Sequence, residues 1–214
     1  MLALGIRCLL AYLLGSLLGS LIVGRVYGGV DIRTQGSGNA GATNALRTQS
    51  KLFALWVILI DLGKGVAATA LVARMPPFPH TVTMPLDIHW TMALCGALAV
   101  LGHVYPVFFG FRGGKGAATY LGSLSVISAW ALLPGLIVFA LTLMLTGYVG
   151  LSTVLAAWSV AAYLLVSSGP LSSEFAFGLT MACFILYTHR SNLQRLLAGT
   201  ENQFKRAMVL RRAK

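Results

Sequence analysis

The chain has 214 residues, 57% of them hydrophobic and 10% charged, with a formal net charge of +11 and a mean hydropathy of +0.80. Soluble domains carry about 25% charged residues, so this composition excludes an ordinary water-soluble globule. It also excludes a nucleic-acid binder, because long apolar runs separate the cations instead of letting them line one solvated face.

Crossing about 30 Å of hydrocarbon takes roughly 20 apolar residues as a helix, since lipid offers backbone polar groups no partner. The run 2–26 is the first such span. Its single early cation, Arg7, and the absence of an A-x-A site read it as a retained span and not a cleaved signal. Gly15, Ser16, Gly19 and Ser20 put small residues on one face for close packing. Further spans are expected at 52–73 and 90–109, with a proline-rich loop, 75–87, between them. The stretch 117–149 is expected to be two short helices turning at Pro134-Gly135, followed by spans at 151–166 and 175–188. Cys8, Cys95 and Cys183 lie in these apolar runs, odd in number and without a CxxC pair, so they point neither to a disulfide framework nor to a thiolate metal site.

The expected fold is therefore all-α and polytopic, a single domain over 1–214 with seven transmembrane helices. Basic residues choose its orientation. Arg25, Arg33, Arg47 and Lys51 flank the loop after the first span, Arg112 and Lys115 follow the third, and the cations of 190–214 follow the seventh. These mark the cytoplasmic ends, which puts the N-terminus outside and the C-terminus inside. Anionic headgroups and phosphorylated small molecules are the partners such cations suit. The basic tail, 203–214, is expected to lie on the anionic inner leaflet.

Three loops carry chemistry. The first, GSGNAGATNALR at 36–47, combines three glycines, Ser37, Thr43, Asn39, Asn44 and the planar guanidinium of Arg47, an assembly suited to phosphate. The second runs from Gly102 and His103 through FRGGKG. It resembles a P-loop superficially, yet Phe109 stands where the first glycine belongs and Gly116 where the magnesium-binding hydroxyl belongs. Lys115 remains as a compact charge in a glycine turn opening a helix; His103 is a ligand or acid, or a partner for carbonyls before Pro106. In the third, HRSNLQR at 189–195 and then GTE, a continuing helix would put His189 and Asn192 on one face with Arg195 a turn further on and Glu201 beyond. Asp61 and Lys64, also three apart, are too costly to bury alone and are expected to pair or to face a cavity.

The segments SGNAGATNALR, GHVYPVFFGFRGGKGAAT and HRSNLQRLLAGTE resemble, in order, the three motifs of the acyl-phosphate-dependent glycerol-3-phosphate acyltransferases, the PlsY family. The similarity extends over nearly the whole chain, including Asp61-x-x-Lys64-Gly65. It implies a seven-helix enzyme of the bacterial inner membrane that moves a fatty acyl group from acyl phosphate to the 1-hydroxyl of glycerol 3-phosphate, the first acylation of phospholipid synthesis. Its implied catalytic set is Ser37, Arg47, Lys115, His189 and Asn192. Its implied binding set is Gly38, Asn39, Gly41, Thr43, Asn44, His103, Gly113, Gly114, Arg195 and Glu201, with Gly38, Asn39, Gly113 and Gly114 as a backbone cradle. One departure stands out: many members resemble Val-Ser-Leu where this chain has Val149-Gly150-Leu151, so a glycine stands where a hydroxyl is expected, and whether Ser152 or Thr153 compensates is open.

No metal or cofactor is expected. Carboxylates are not clustered for magnesium, and cations with loop amides suffice to stabilise a departing phosphate. The H-x4-D signature of other acyltransferases is absent, with Phe108, Pro85, Leu94 and Gln194 five positions after His103, His80, His89 and His189. An anion transporter is the rival reading, but its sites should reach both membrane faces, whereas these loops all follow odd-numbered spans.

Overall fold

The computed structural model describes residues 1–76 and 86–209, which fall into two compact units, Met1–Ile127 and Ser128–Lys214. Among the described residues every regular element is helical.

In the first unit the expected span 2–26 is broken. Helices α1 (Leu2–Gly15) and α2 (Gly19–Val26) meet at a 47° bend. After the short helix α3 (Ala42–Thr48) comes α4 (Lys51–Ala67), which continues as a π-helical turn, Ala68–Val72. Helix α5 (Ile88–Val104) and helix α6 (Ala117–Ile127) complete the unit. Two starts are capped as side-chain chemistry requires: Ser50 Oγ accepts from the Phe53 amide, and Asp87 Oδ1 from those of His89 and Trp90. At the far end of α4, the buried Arg7 guanidinium donates to the Met75 carbonyl. The proline-rich loop lies largely outside the described residues.

Lipid gives helices no hydrophobic reason to associate, so close packing has to hold them. Glycines supply it in reciprocal pairs. A Cβ on Gly15 would overlap the Ala99 backbone while one on Gly102 would overlap that of Tyr12, which seats α1 on α5. In the same way Gly65 meets Thr119 and Gly122 meets Leu62, which seats α4 on α6.

The bend in the first span has a cost, because it frees backbone groups that lipid would leave unsatisfied. Lys64 and Asp61 from α4 answer that cost. Lys64 Nζ donates to the Leu17 carbonyl at 2.7 Å, and Asp61 Oδ1 accepts from the Gly19 amide at 3.1 Å. The two side chains pair at 3.0 Å, both buried. The expected pairing of Asp61 with Lys64 is thus present, and its purpose is to satisfy a broken helix.

The second unit begins with a 3-10 turn, Ala129–Ala131, that leads into α7 (Leu132–Thr146). Two helices do replace one long one, but the turn between them falls at Ser128 and not at Pro134-Gly135. Pro134 sits in the first turn of α7, where a proline is tolerated, and Gly135 packs against Val160. Helix α8 (Val149–Ser168) follows an αL glycine, Gly147, and α9 (Ser173–Thr188) starts at a Ser172 cap. Helix α10 (Arg190–Leu197) closes the order, before a 3-10 turn at Lys205–Ala207. Residues 210–214 of the basic tail lie outside the described residues.

By length and composition, Lys51–Val72, Ile88–Phe109, Ala129–Thr146 and Val149–Ser168 can each cross a membrane, and the bent pair α1 and α2 would make a fifth crossing. Ala117–Ile127 and Ser173–Thr188 are apolar but shorter.

Candidate functional site

The first loop hangs between α2 and α3 on an apolar anchor. Ile32, ahead of the motif, and Ala45, within it on α3, are buried against Val23, Phe53 and Val57. Within it, Asn44 is the internal staple. Its Nδ2 donates to the carbonyls of Ile32 (2.9 Å) and Gln35 (3.0 Å), and its Oδ1 accepts from the Ser37 amide at 2.9 Å. The side chain is buried, so Asn44, expected among the binding residues, is occupied in shaping the loop. Gly36 and Gly38 adopt left-handed backbone, at φ 57° and 72°. The Gly41 carbonyl receives the first amides of α3, from Asn44 and Ala45. Ser37, Thr43 and Arg47 are exposed, and Asn39 is half-buried with its amide against Gly41.

Arg33, read from the sequence only as a flanking charge, is the residue that fastens this loop to the second one. Its guanidinium grips Asp31 through Nε and Nη2 (3.0 and 2.8 Å), while Nη1 donates to the carbonyls of Phe109 (3.1 Å) and Arg112 (2.9 Å). The hydrogen bonds from Arg33 hold the Asp31 carboxyl below the usual carboxylate range. Asp-x-Arg just before a glycine-rich loop was the available signal. Arg25 adds a cation–π approach, 6.0 Å from the Phe109 ring centroid.

The second loop folds back on the end of α5. The Gly113 amide donates to the Val104 carbonyl and the Gly114 amide to that of His103, each at 3.1 Å. These two amides are therefore spent inside the turn. What demands glycine is crowding, since a Cβ on Gly113 would overlap the His103 carbonyl and one on Gly114 the His103 imidazole. Lys115, half-buried, stands between Gly114 and the left-handed Gly116 at the opening of α6. His103 is itself buried, with Nδ1 3.3 Å from Asp61 Oδ1. It thus belongs to the charge cluster beneath the helix bend.

In the second unit the helix does not continue through the third motif. It breaks at His189, which ends α9 and precedes α10. The buried His189 ring has Nδ1 2.9 Å from the Ile185 carbonyl. A carbonyl only accepts, so Nδ1 carries the hydrogen and the basic lone pair of the neutral ring belongs to Nε2. Glu201 gathers the rest: Oε1 accepts from Asn192 Nδ2 at 2.6 Å, and Oε2 from Arg195 Nε at 2.7 Å. Its side chain is only 3% exposed, so the two partners together satisfy a nearly buried carboxylate. Asn192 lies directly over Gly150, where a Cβ would come within 2.8 Å of the Asn192 Cβ. The two neighbouring hydroxyls spend their hydrogens within α8, Ser152 on the Tyr148 carbonyl and Thr153 on that of Val149.

Apolar helices with polar and basic side chains concentrated in their connections define a multi-pass membrane protein. The sequence profile of the glycerol-3-phosphate acyltransferase family matches residues 5–199. A glycerol-3-phosphate acyltransferase of Chlorobaculum parvum is 39% identical, with 90% of this chain and 93% of that one covered. One from Nostoc is 38% identical over 96% and 93%, and one from Synechococcus elongatus 41% over 90% of each. Among solved structures, PlsY (YgiH), an integral membrane glycerol 3-phosphate acyltransferase, in its glycerol 3-phosphate form superposes with a TM-score of 0.79 at 33% identity over 94% of this chain and 95% of that one. Its lysophosphatidic acid form gives 0.77 at 32% over 94% of each. The chain belongs to the glycerol-3-phosphate acyltransferase family of the PlsY type, and is an integral membrane acyltransferase.

Proposed function

We propose that the chain transfers a fatty acyl group from acyl phosphate to the 1-hydroxyl of sn-glycerol 3-phosphate, giving lysophosphatidate and inorganic phosphate. It does so at the cytoplasmic face of a bacterial inner membrane, as the first acylation of phospholipid synthesis. Seven spans, with the N-terminus outside, put all three loops on that face. Glycerol 3-phosphate and lysophosphatidic acid name the two solved forms of the PlsY relative, and substrate and product are carried over from there.

The observation that carries this reading is the Arg33 clamp. It holds the loop of Ser37 and Arg47 against the loop of Lys115, bringing two basic segments together in the first unit. In acyl phosphate the carbonyl carbon is already activated by a phosphate leaving group. The substrate hydroxyl oxygen attacks that carbon, the bond from carbon to the phosphate oxygen breaks, and inorganic phosphate departs. Lys115 and Arg47 stabilise the phosphoryl charge as it grows. The hydroxyl proton passes to His189 Nε2 or to a substrate phosphate, whose second pKa is about 6 in comparable esters. Ser37 and Asn192 orient the reacting groups, and no acyl-enzyme intermediate is needed.

The test is purified protein with palmitoyl phosphate and glycerol 3-phosphate. Lysophosphatidate and inorganic phosphate are expected in equal amounts, and Lys115→Ala or Arg47→Ala is expected to lower the rate about 100-fold or more. Product formed only from palmitoyl-CoA or palmitoyl-acyl carrier protein would overturn the assigned donor. Normal rates in both variants would remove the site assignment.

A further inference from the structure

The buried cluster of Asp61, Lys64 and His103 does more than satisfy a bend. Asp61 Oδ1 faces three groups at once: Lys64 Nζ at 3.0 Å, the Gly19 amide at 3.1 Å and His103 Nδ1 at 3.3 Å. Lys64 is fixed in turn by the Leu17 carbonyl. Nδ1 of the imidazole thus stands beside a carboxylate that is itself held by the Gly19 amide of α2 and the Lys64 ammonium of α4. The opposite edge, Nε2, lies under Gly114, and all three of the nearest atoms that a Gly114 Cβ would meet belong to the His103 ring. Lys115 is the next residue.

We propose that His103 is a positioning residue, an imidazole floor set by Asp61 on which the Gly114 turn rests and which thereby fixes where Lys115 presents its charge. This rests on the assignment of Lys115 to substrate phosphate under the proposed function. It also gives the glycine at position 114 a cause, namely the ring beneath it. Crowding between two defined groups predicts non-additivity, because neighbours in contact couple whereas distant sites do not.

The experiment is a double-mutant cycle in purified, detergent-solubilised protein with Gly114→Ala, His103→Ser and the pair. The readouts are KM and kcat for glycerol 3-phosphate, with thermal unfolding and the unfolding shift caused by glycerol 3-phosphate alone. Gly114→Ala is expected to raise KM about tenfold or more with a smaller change in kcat, and the pair to recover most of that loss as the ring is removed. Asp61→Asn, which keeps the imidazole but removes the charge beside its Nδ1, is expected to raise KM in the same direction. Effects of Gly114→Ala and His103→Ser that simply multiply in the pair would overturn the proposal. If His103→Ser is not recovered folded, His103→Asn closes the same cycle. Loss of folding in both His103 variants would assign the residue to the whole unit and overturn the local role. A wild-type protein that binds glycerol 3-phosphate yet makes no lysophosphatidate would refute the catalytic reading, while the binding cycle would still decide the role of His103.

Discussion

Asn192 occupies the space that a side chain at Gly150 would need, with a Cβ there 2.8 Å from the Asn192 Cβ and 3.0 Å from its Nδ2. The same amide donates to Glu201, so displacing it would strip one partner from a nearly buried carboxylate. Gly150→Ser is therefore expected to lower activity even though it supplies the hydroxyl that the family motif leads one to expect. The measure is kcat/KM beside thermal unfolding, with a loss of about tenfold. Wild-type activity in Gly150→Ser would mean that Asn192 moves aside freely.

The Arg33 clamp makes a prediction about specificity of charge geometry. Lysine cannot span a carboxylate and two carbonyls as a planar fork can, so Arg33→Lys should fail to restore what Arg33→Ala loses. Both are expected to raise the KM for glycerol 3-phosphate, and equal rescue by lysine would show that charge alone matters.

Asp31 adds a pH dependence with a definite sign. Its folded pKa lies below the unfolded value, so its contribution is fully present above the unfolded value of about 3.9. That contribution is lost as pH falls through the folded pKa. Asp31→Asn should abolish this part of the acid sensitivity, read as the difference between unfolding temperatures at neutral and acid pH.

Asn44 is expected to tolerate no substitution that keeps its size but changes its donors. Asn44→Asp retains an acceptor for the Ser37 amide but faces two carbonyls with no hydrogens to give. Leaving buried polar groups unsatisfied costs about 1–3 kcal/mol each. The unfolding temperature should fall and activity with it, whereas Thr43→Ala, on an exposed residue, should leave stability unchanged.

His189 separates the two proton acceptors. His189→Asn keeps a donor near the Ile185 carbonyl and removes the Nε2 base, so a rate loss of about 100-fold or more is expected if the ring takes the proton. A small loss with an unchanged pH profile would assign that step to the substrate phosphate.

Much of this protein is legible along the chain because lipid imposes simple rules. Apolar length sets the helices, and the cluster of cations and glycines marks the connections. The three motifs carry the family resemblance in residue order. The pairing of Asp61 with Lys64 follows from the cost of isolated charge. Other features depend on contacts between residues distant in sequence, and no local pattern contains them. The helix bend appears where Asp61 and Lys64 can satisfy the freed backbone of Leu17 and Gly19. Arg33 becomes a clamp only because Phe109 and Arg112 turn their carbonyls toward it. Gly114 is confined by His103, and Gly150 by Asn192. Sequence alone determined which groups are present and which solvent each segment needs; tertiary packing decided which polar groups serve the scaffold, because a hydrogen bond depends on distance and direction and not on position in the chain.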